Sequence, residues 1–527
     1  MMELQHVPIL SIILFAPLFA LVLLLIAQQG KWLRYIAISG SFVPLILMLW
    51  LYVDFDQNFG FQAYNESYVW AVVPLPSGEG AAVSYMLQFA LAIDGLSLPM
   101  LVVVTLVAAI SSLAAVQIKK RRKSFFAWFF IVQYGAIGLF MADDLLLLLL
   151  FLGVLLLAFY FLIGIWGKMN REKTATQFIT IHALVYLLIS SAIILLVMMT
   201  GGNQIEEGST VSTVYSSQYI DIIRYIISER PDHSVLDVVF ILLIIACLLI
   251  MPTMPLHRWF IRLFEQAAQP VTMMYVAIVS NFAVFSFIRF VILLFPQQME
   301  RYRWIIIIIG LVQLLYGAWF AFRQRHFTRL LAYLSIVQSG IVVLGLATSN
   351  ELGLYGAVMQ TIGYSSLMTL LLFLAGVIYE RTSTLQLAAL HGLARSIPFI
   401  CGIMLVAVLA IVGMPGFAIF TGQLLSLSGI FATSPLLAGL TIAGVFLYAV
   451  AFIRAVITFI FGERQLQWQT IKDARLIEAF PMMIMIAFVV LLGVFPDILT
   501  GKLDQSIGVY IEHLMWDVVG GDADALR

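Results

Sequence analysis

Only two cysteines, Cys247 and Cys401, occur in 527 residues, each inside an apolar run. The chain therefore has neither a disulfide framework nor a clustered thiolate metal site. Charge is scarce as well: Asp, Glu, Lys and Arg make up 11% of the residues, and 28 basic side chains balance 28 acidic ones. There is no basic field to draw in nucleic acid and no acidic block to suggest a disordered tail. No phosphate-cradling glycine loop, haem or zinc spacing, or hydrolase triad is present, so no cofactor, metal or self-contained catalytic site is expected. What the chain has instead is apolar surface, 62% of its residues being hydrophobic with a mean hydropathy of +1.04. A water-soluble core cannot hide that much, which points to a chain dissolved in lipid.

A transmembrane helix needs about 20 mostly apolar residues to cross roughly 30 Å of hydrocarbon. Such segments fall near 8–28, 33–53, 96–117, 124–142, 145–166, 174–199, 235–254, 271–295, 303–321, 329–347, 353–379, 397–419, 436–461 and 478–496. The expectation is an all-α polytopic membrane protein of 14 spans. The first segment is too long for a signal peptide, and no small-residue cleavage pattern follows it, so it reads as a retained helix.

Charge asymmetry tests the count, because cytoplasmic loops collect Lys and Arg. The odd-numbered loops hold 20 basic residues, among them Lys31, Arg34, the run Lys119-Lys120-Arg121-Arg122-Lys123, Lys168, Arg258, Arg323, Arg381, Arg464 and Lys472. The even loops and the C-terminal tail hold six: Arg224, Arg230, Arg301, Arg303, Lys502 and Arg527. Both termini and the acidic stretches Asp54 to Glu79 and Glu206 to Asp232 are thus expected on the outer side of a cell (inner) membrane.

Two spans carry breakers. Span 7 meets Met251-Pro252-Thr253-Met254-Pro255, whose prolines remove amide donors and clash with the preceding turn. Span 12 meets Gly413-Met414-Pro415-Gly416 in an apolar run. Freed backbone groups are tolerated in lipid only where they face protein or a wet cavity, so breaks at matched places suggest an inverted-repeat transporter. The units expected are 1–123 for helices 1–3 and an outer loop, 124–295 and 303–462 for two inverted five-helix repeats, and 463–527 for an inner loop, helix 14 and the tail.

The strings Ile93-Asp94-Gly95-Leu96-Ser97, Phe161 to Gly167, Pro255-Leu256-His257-Arg258-Trp259, Leu331 to Ile336, Gly376 to Arg381 and Gly413-Met414-Pro415-Gly416 occur in order. Over about residues 85–465 the chain resembles the antiporter-like membrane subunits of respiratory complex I and Mrp-type cation/proton antiporters, most closely the M-type and D-type subunits. The resemblance implies a 14-helix fold with helices 7 and 12 discontinuous, other subunits as partners, and a mid-membrane line of ionisable side chains that relays protons.

At the positions the resemblance implies for that line, this chain is neutral. The helix-5 glutamate falls on Gly153, the helix-7 lysine on Ile250, the helix-8 lysine on Asn281, the helix-11 histidine or lysine at or near Tyr364, and the helix-12 glutamate on Gln423. A charge at the bilayer centre costs about 2.5–3.5 kcal/mol or more, and its loss relieves that cost along with the relay. Amides do not titrate near neutrality, and a phenol near pH 10 does so poorly.

Among the polar residues that remain, Asp143 and Asp144 begin span 5 and read as helix N-terminal stabilisers. His182 is the one imidazole within a span and reads first as a satisfied core histidine. His257, Arg258, Arg262 and Glu265 read as a charged rim after the span-7 break, Arg289 and Arg454 as snorkelling or ion-paired, and Asp94 as a loop anchor. Three functions compete: a subunit of a cation/proton-translocating complex with a degenerate relay, the membrane subunit of an inorganic-carbon accumulation complex paired with a zinc carbonic-anhydrase-like protein, and a structural spacer.

Overall fold

The structure, a computed structural model, describes residues 8–27, 31–55, 64–75, 82–199, 203–207, 210–229, 233–461, 468 and 470–504. Arg230, Arg464, Arg527, the ends of both acidic stretches and the tail past 504 lie outside the described residues.

The helices are α1 (Ile9–Ile26), α2 (Lys31–Asp54), α3 (Ser97–Ala115), α4 (Arg122–Met141), α5 (Leu145–Trp166), α6 (Arg171–Met199), α7 (Tyr219–Glu229), α8 (His233–Ile250), α9 (Arg258–Gln266), α10 (Gln269–Ser286), α11 (Pro296–Phe322), α12 (Phe327–Ala347), α13 (Glu351–Thr382), α14 (Pro398–Ile411), α15 (Ala418–Thr433), α16 (Pro435–Ile460) and α17 (Leu476–Val494). A π-helical turn, Phe287–Ile292, extends α10. Among the described residues twelve helices are long and apolar enough to cross a membrane: α1–α6, α10 with its π turn, α11–α13, α16 and α17. The shorter apolar α8 adds one crossing, and α14 with α15 forms the two halves of another, which makes fourteen. α3, α10, α12 and α13 are buried along nearly their whole length and form the centre, while α1, α2, α6, α11, α16 and α17 keep apolar side chains such as Phe19, Trp304 and Leu436 exposed. An apolar surface of that kind belongs against lipid or a partner.

The expected span 12, residues 397–419, is corrected by the structure. α14 stops at Ile411, Gly413 and Gly416 take φ of 87° and 94° in the left-handed region, and a second helix runs on to Thr433. Glycine pays no Cβ penalty there. Residues 420–433 read as loop because Thr421, Gly422, Gln423, Ser426, Ser428 and Gly429 dilute their hydropathy. The small residues are what packs α15 onto α13, since a Cβ on Gly356 would collide with the backbone of Ser426 and one on Gly422 with that of Gln360. The break in span 7 lies where expected, α8 ending at Ile250 and α9 starting at Arg258.

A four-stranded sheet adds to the all-helical expectation. β1 (Tyr64–Leu75) pairs antiparallel with β2 (Ala82–Ile93), β2 pairs parallel with β4 (Thr210–Ser216), and β3 (Asn203–Glu207) pairs antiparallel with β4, in the order β1-β2-β4-β3. The sheet requires the α2–α3 and α6–α7 connections to share one face, as the loop parity demands. On the same face Glu66 accepts from the amides of Leu10 and Ser11 at the start of α1, at 2.7 and 3.1 Å. Tyr355 Oη donates to Asp504 at 2.6 Å. The opposite face is joined by basic side chains. Lys123 Nζ donates to the carbonyls of Leu25 and Ala27, Glu265 pairs with Arg329, and Arg381 donates to Lys472 O and pairs with Glu478 at 2.5 Å.

Candidate functional site

Through the bundle centre runs a chain of amides and hydroxyls. Gln423, on the first turns of α15, donates from Nε2 to Tyr448 Oη at 2.7 Å. Tyr448, on α16, donates onward to Ile411 O at 2.9 Å. That carbonyl is among those left without an intrahelical donor where α14 ends, so the phenol caps the break. A Cβ at Gly413 would collide with Gln423 Oε1, so the glycine that turns the chain also leaves the amide its room. From Tyr448 the chain continues to Gln338 on α12, whose Nε2 donates at 3.4 Å, and Gln360 on α13 donates to Gln338 Oε1. Asn281 on α10 donates to Ala277 O at 2.7 Å and to Ser365 Oγ of α13 at 3.1 Å. Among the described residues the oxygens Asn281 Oδ1 and Gln360 Oε1 have no hydrogen-bond partner, although both residues are fully buried. Buried acceptors of that kind call for bound water.

Beside this chain lies a cavity of about 40 Å³, lined by Ile250, Met251, Pro252, Tyr275, Ser280, Ser335, Gln338, Ser339, Thr361 and Tyr364 among others. It opens where α8 breaks. A second cavity of about 40 Å³ lies on the α5–α6 side, lined by apolar residues and His182, and shares Ile250, Tyr275 and Val279 with the first. At roughly 10–15 Å³ of water-centre space per molecule, the first, which borders Ser280, Ser335, Gln338 and Thr361, has room for about three waters.

Of the five neutral positions, Ile250 and Tyr364 thus border one cavity, Gln423 joins it through Tyr448 and Gln338, and Asn281 is tied to α13. Gly153 stands apart on α5, where a Cβ would meet the ring of Tyr186 at 3.5 Å. The amide and hydroxyl links were missed by sequence reasoning because their members lie up to 110 positions apart. Gln338 and Gln360, polar residues in mid-span, were the available signal.

The remaining polar residues fall elsewhere. Asp144 caps α5, its Oδ1 accepting from Leu146 N and Leu147 N at 2.9 and 3.0 Å and its Oδ2 from Ser217. Burial raises its pKa, against those hydrogen bonds. Arg289, on the π turn, is neither exposed nor snorkelling: it lies 3.1 Å from Asp143 and 3.6 Å from Asp94, all three buried, with its guanidinium 4.5 Å above the Tyr219 ring. Arg454 lies over Phe322 at 5.0 Å. Of the expected charged rim, Arg258 is exposed and Glu265 pairs with Arg329. His257 departs from it: the residue is buried just before the start of α9, and Nε2 lies 3.2 Å from Tyr316 Oη. Near the basic face, burial lowers the pKa of Lys168 despite Glu265, and lowers that of His326.

A bundle with two broken helices around a polar, buried centre is the architecture of an ion-translocating membrane subunit. The family described as NADH:quinone oxidoreductase/Mrp antiporter, TM, matches residues 142–451, and the chain belongs to it. It is similar to NAD(P)H-quinone oxidoreductase chain 4 1 of a Synechococcus species, 30% identical over 79% of this chain and 74% of that protein. The protein of that name from a Nostoc species is 29% identical over 96% of this chain and 91% of its own. NADH-quinone oxidoreductase subunit M of Buchnera aphidicola is 28% identical over 78% and 79%. A chain of respiratory complex I from Thermus thermophilus shares the fold with a TM-score of 0.82 at 24% identity, over 96% of this chain and 99% of that one. A chain of the Mrp complex from a Dietzia species does so with a TM-score of 0.78 at 16% identity, over 99% and 100%.

Proposed function

We infer that this chain is a membrane subunit of a multi-subunit complex that moves protons or cations, and that its own central axis carries hydrogen bonds in place of ionisable groups. The observation carrying the second part is the neutral chain Gln360, Gln338, Tyr448 and Gln423. All four side chains are buried, and they occupy the region where the breaks of the fold converge. Such a chain orients water and fixes helices, but an amide has no proton to pass on and recover near neutral pH. The five-helix units 124–295 and 303–462, flanked by 1–123 and 463–527, and an inner-membrane location with both termini outside belong to the same reading, supported by the 20 against 6 basic residues. The names of the relatives favour neither the inorganic-carbon nor the spacer alternative.

Co-purification in mild detergent tests the subunit reading: at least one other subunit accompanies the tagged chain, whereas a lone monomer that transports ions in liposomes overturns it. In the intact complex, Gln423→Ala leaves transport close to wild type. Abolished transport with assembly intact would show that the axis still conducts. For orientation, a cysteine at Lys119 resists a membrane-impermeant reagent added outside intact cells, and strong labelling there reverses the topology.

A further inference from the structure

We propose that His182 and Tyr275 form a reversible proton-binding site, loaded from the cavity beside α8, next to the neutral axis. The proposal rests on the neutral-axis reading above.

The geometry fixes the tautomer. His182 Nδ1 lies 3.0 Å from Phe178 O on its own helix, and a carbonyl oxygen only accepts, so Nδ1 carries a hydrogen. In the neutral ring Nε2 is then bare, and it lies 3.0 Å from Tyr275 Oη, which therefore donates to it. Tyr275 belongs to both cavities: it borders the one that holds His182 and the one whose lining includes Ser280, Ser335, Gln338 and Tyr364. The phenol is thus the polar group between water-sized space and the imidazole.

Loading balances in one concerted step. An excess proton carried by a cavity water as hydronium attaches to Tyr275 Oη, leaving neutral water, while the original Tyr275 hydroxyl proton passes to His182 Nε2. Tyr275 remains neutral, the imidazole becomes imidazolium, and its new Nε2–H donates back to the phenol oxygen. Unloading is the reverse. The ring stacks on Phe178 with centroids 4.1 Å apart and lies 4.9 Å from Trp259 of α9 with the two planes perpendicular, and the Phe178 face is a surface that attracts a cation. The described residues that touch the ring or share its cavity include Phe159 from α5, Ile250 from α8, Trp259 from α9 and Tyr275 from α10, and none of these carries a charge near neutrality. The Gln338 amide borders the same cavity and passes no proton onward, so the site stores a proton and returns it by the same phenol.

The experiment is hydrogen–deuterium exchange at the imidazole C2 position, read by mass spectrometry on the full chain in lipid nanodiscs from about pH 4 to about pH 9. Its rate reports both protonation and access to water. His182 is expected to give a sigmoidal pH profile, and Tyr275→Phe to slow its exchange at least threefold while the other six histidines keep their rates and so report an intact fold. A His182 that does not exchange at any pH in the unaltered chain, or a rate unchanged by Tyr275→Phe, overturns the proposal. This readout concerns one side chain in the isolated chain, so its failure leaves the co-purification and transport results standing, and theirs leaves this one standing.

Discussion

Removing the guanidinium of Arg289 leaves Asp94 and Asp143 buried without the cation they face at 3.6 and 3.1 Å. Breaking a buried pair from one side costs about 3–5 kcal/mol, because the surviving charge keeps its desolvation penalty and loses its compensation. The cation–π contact with Tyr219 is lost in the same substitution. The natural comparison is Arg301, paired with Asp237 at 2.8 Å but with its own side chain 66% exposed, where about 0–1 kcal/mol is expected. Reversible unfolding by sodium dodecyl sulfate titration in mixed micelles should place Arg289→Gln about 3–5 kcal/mol below the unaltered chain and Arg301→Gln within about 1 kcal/mol of it. Adding Asp143→Asn to Arg289→Gln should recover part of the loss, since one buried negative charge is removed. Equal, small effects at 289 and 301 would refute the claim that this cluster holds the π turn to the starts of α3 and α5.

Gly356→Val forces α15 off α13 by driving side-chain atoms into the backbone of Ser426, and assembly measured by size-exclusion chromatography should fall sharply where Gly439→Val, with open space around it, is tolerated. Asp144→Ala removes two amide partners from the first turn of α5 and should cost about 0.5–2 kcal/mol in the same micelle titration. His326 is held by burial below its usual pKa, facing Lys168 and Arg329 as well as Glu265. The folded chain then binds fewer protons than the unfolded one below about pH 6.5, and stability that is complete above that pH is lost as pH falls toward the folded pKa. His326→Gln should flatten that acid-side loss of thermal stability, and an unchanged slope would count against the assignment.

Hydropathy located the helices well where polarity and burial go together, as in α5, whose apolar run is cut off by Asp144 before it and Gly167 after it. It failed at α15, where polar and small residues serve helix packing and hydrogen bonding inside protein, so that their burial leaves no apolar trace. β1 was missed for another reason: Asn65, Glu66 and Ser67 read as a solvated loop, and the strand depends on β2, which no local signal announces. Loop charge is legible without tertiary information because it is counted along the chain, whereas the contacts that Lys123 and Arg381 make with carbonyls of other loops are not. Motif spacing singles out Gly153, Ile250, Asn281, Tyr364 and Gln423, while the hydrogen-bond partners Tyr448, Gln338 and Ser365 are set only by tertiary packing.

The parallel pairing of β2 with β4 has a consequence for how the chain is made. β2 ends at Ile93 and β4 begins at Thr210, with four crossings of the bilayer synthesised in between. At about 5–20 residues per second the ribosome takes roughly 6–25 s to cover that interval. During it the hairpin of β1 and β2 waits with one edge unsatisfied, open to any extended segment nearby. The final sheet closes that edge and joins the start of α3 to the start of α7. The moment β4 arrives is therefore when the early helices are committed to the later ones, and a chaperone or partner subunit shielding β2 would be needed only before it.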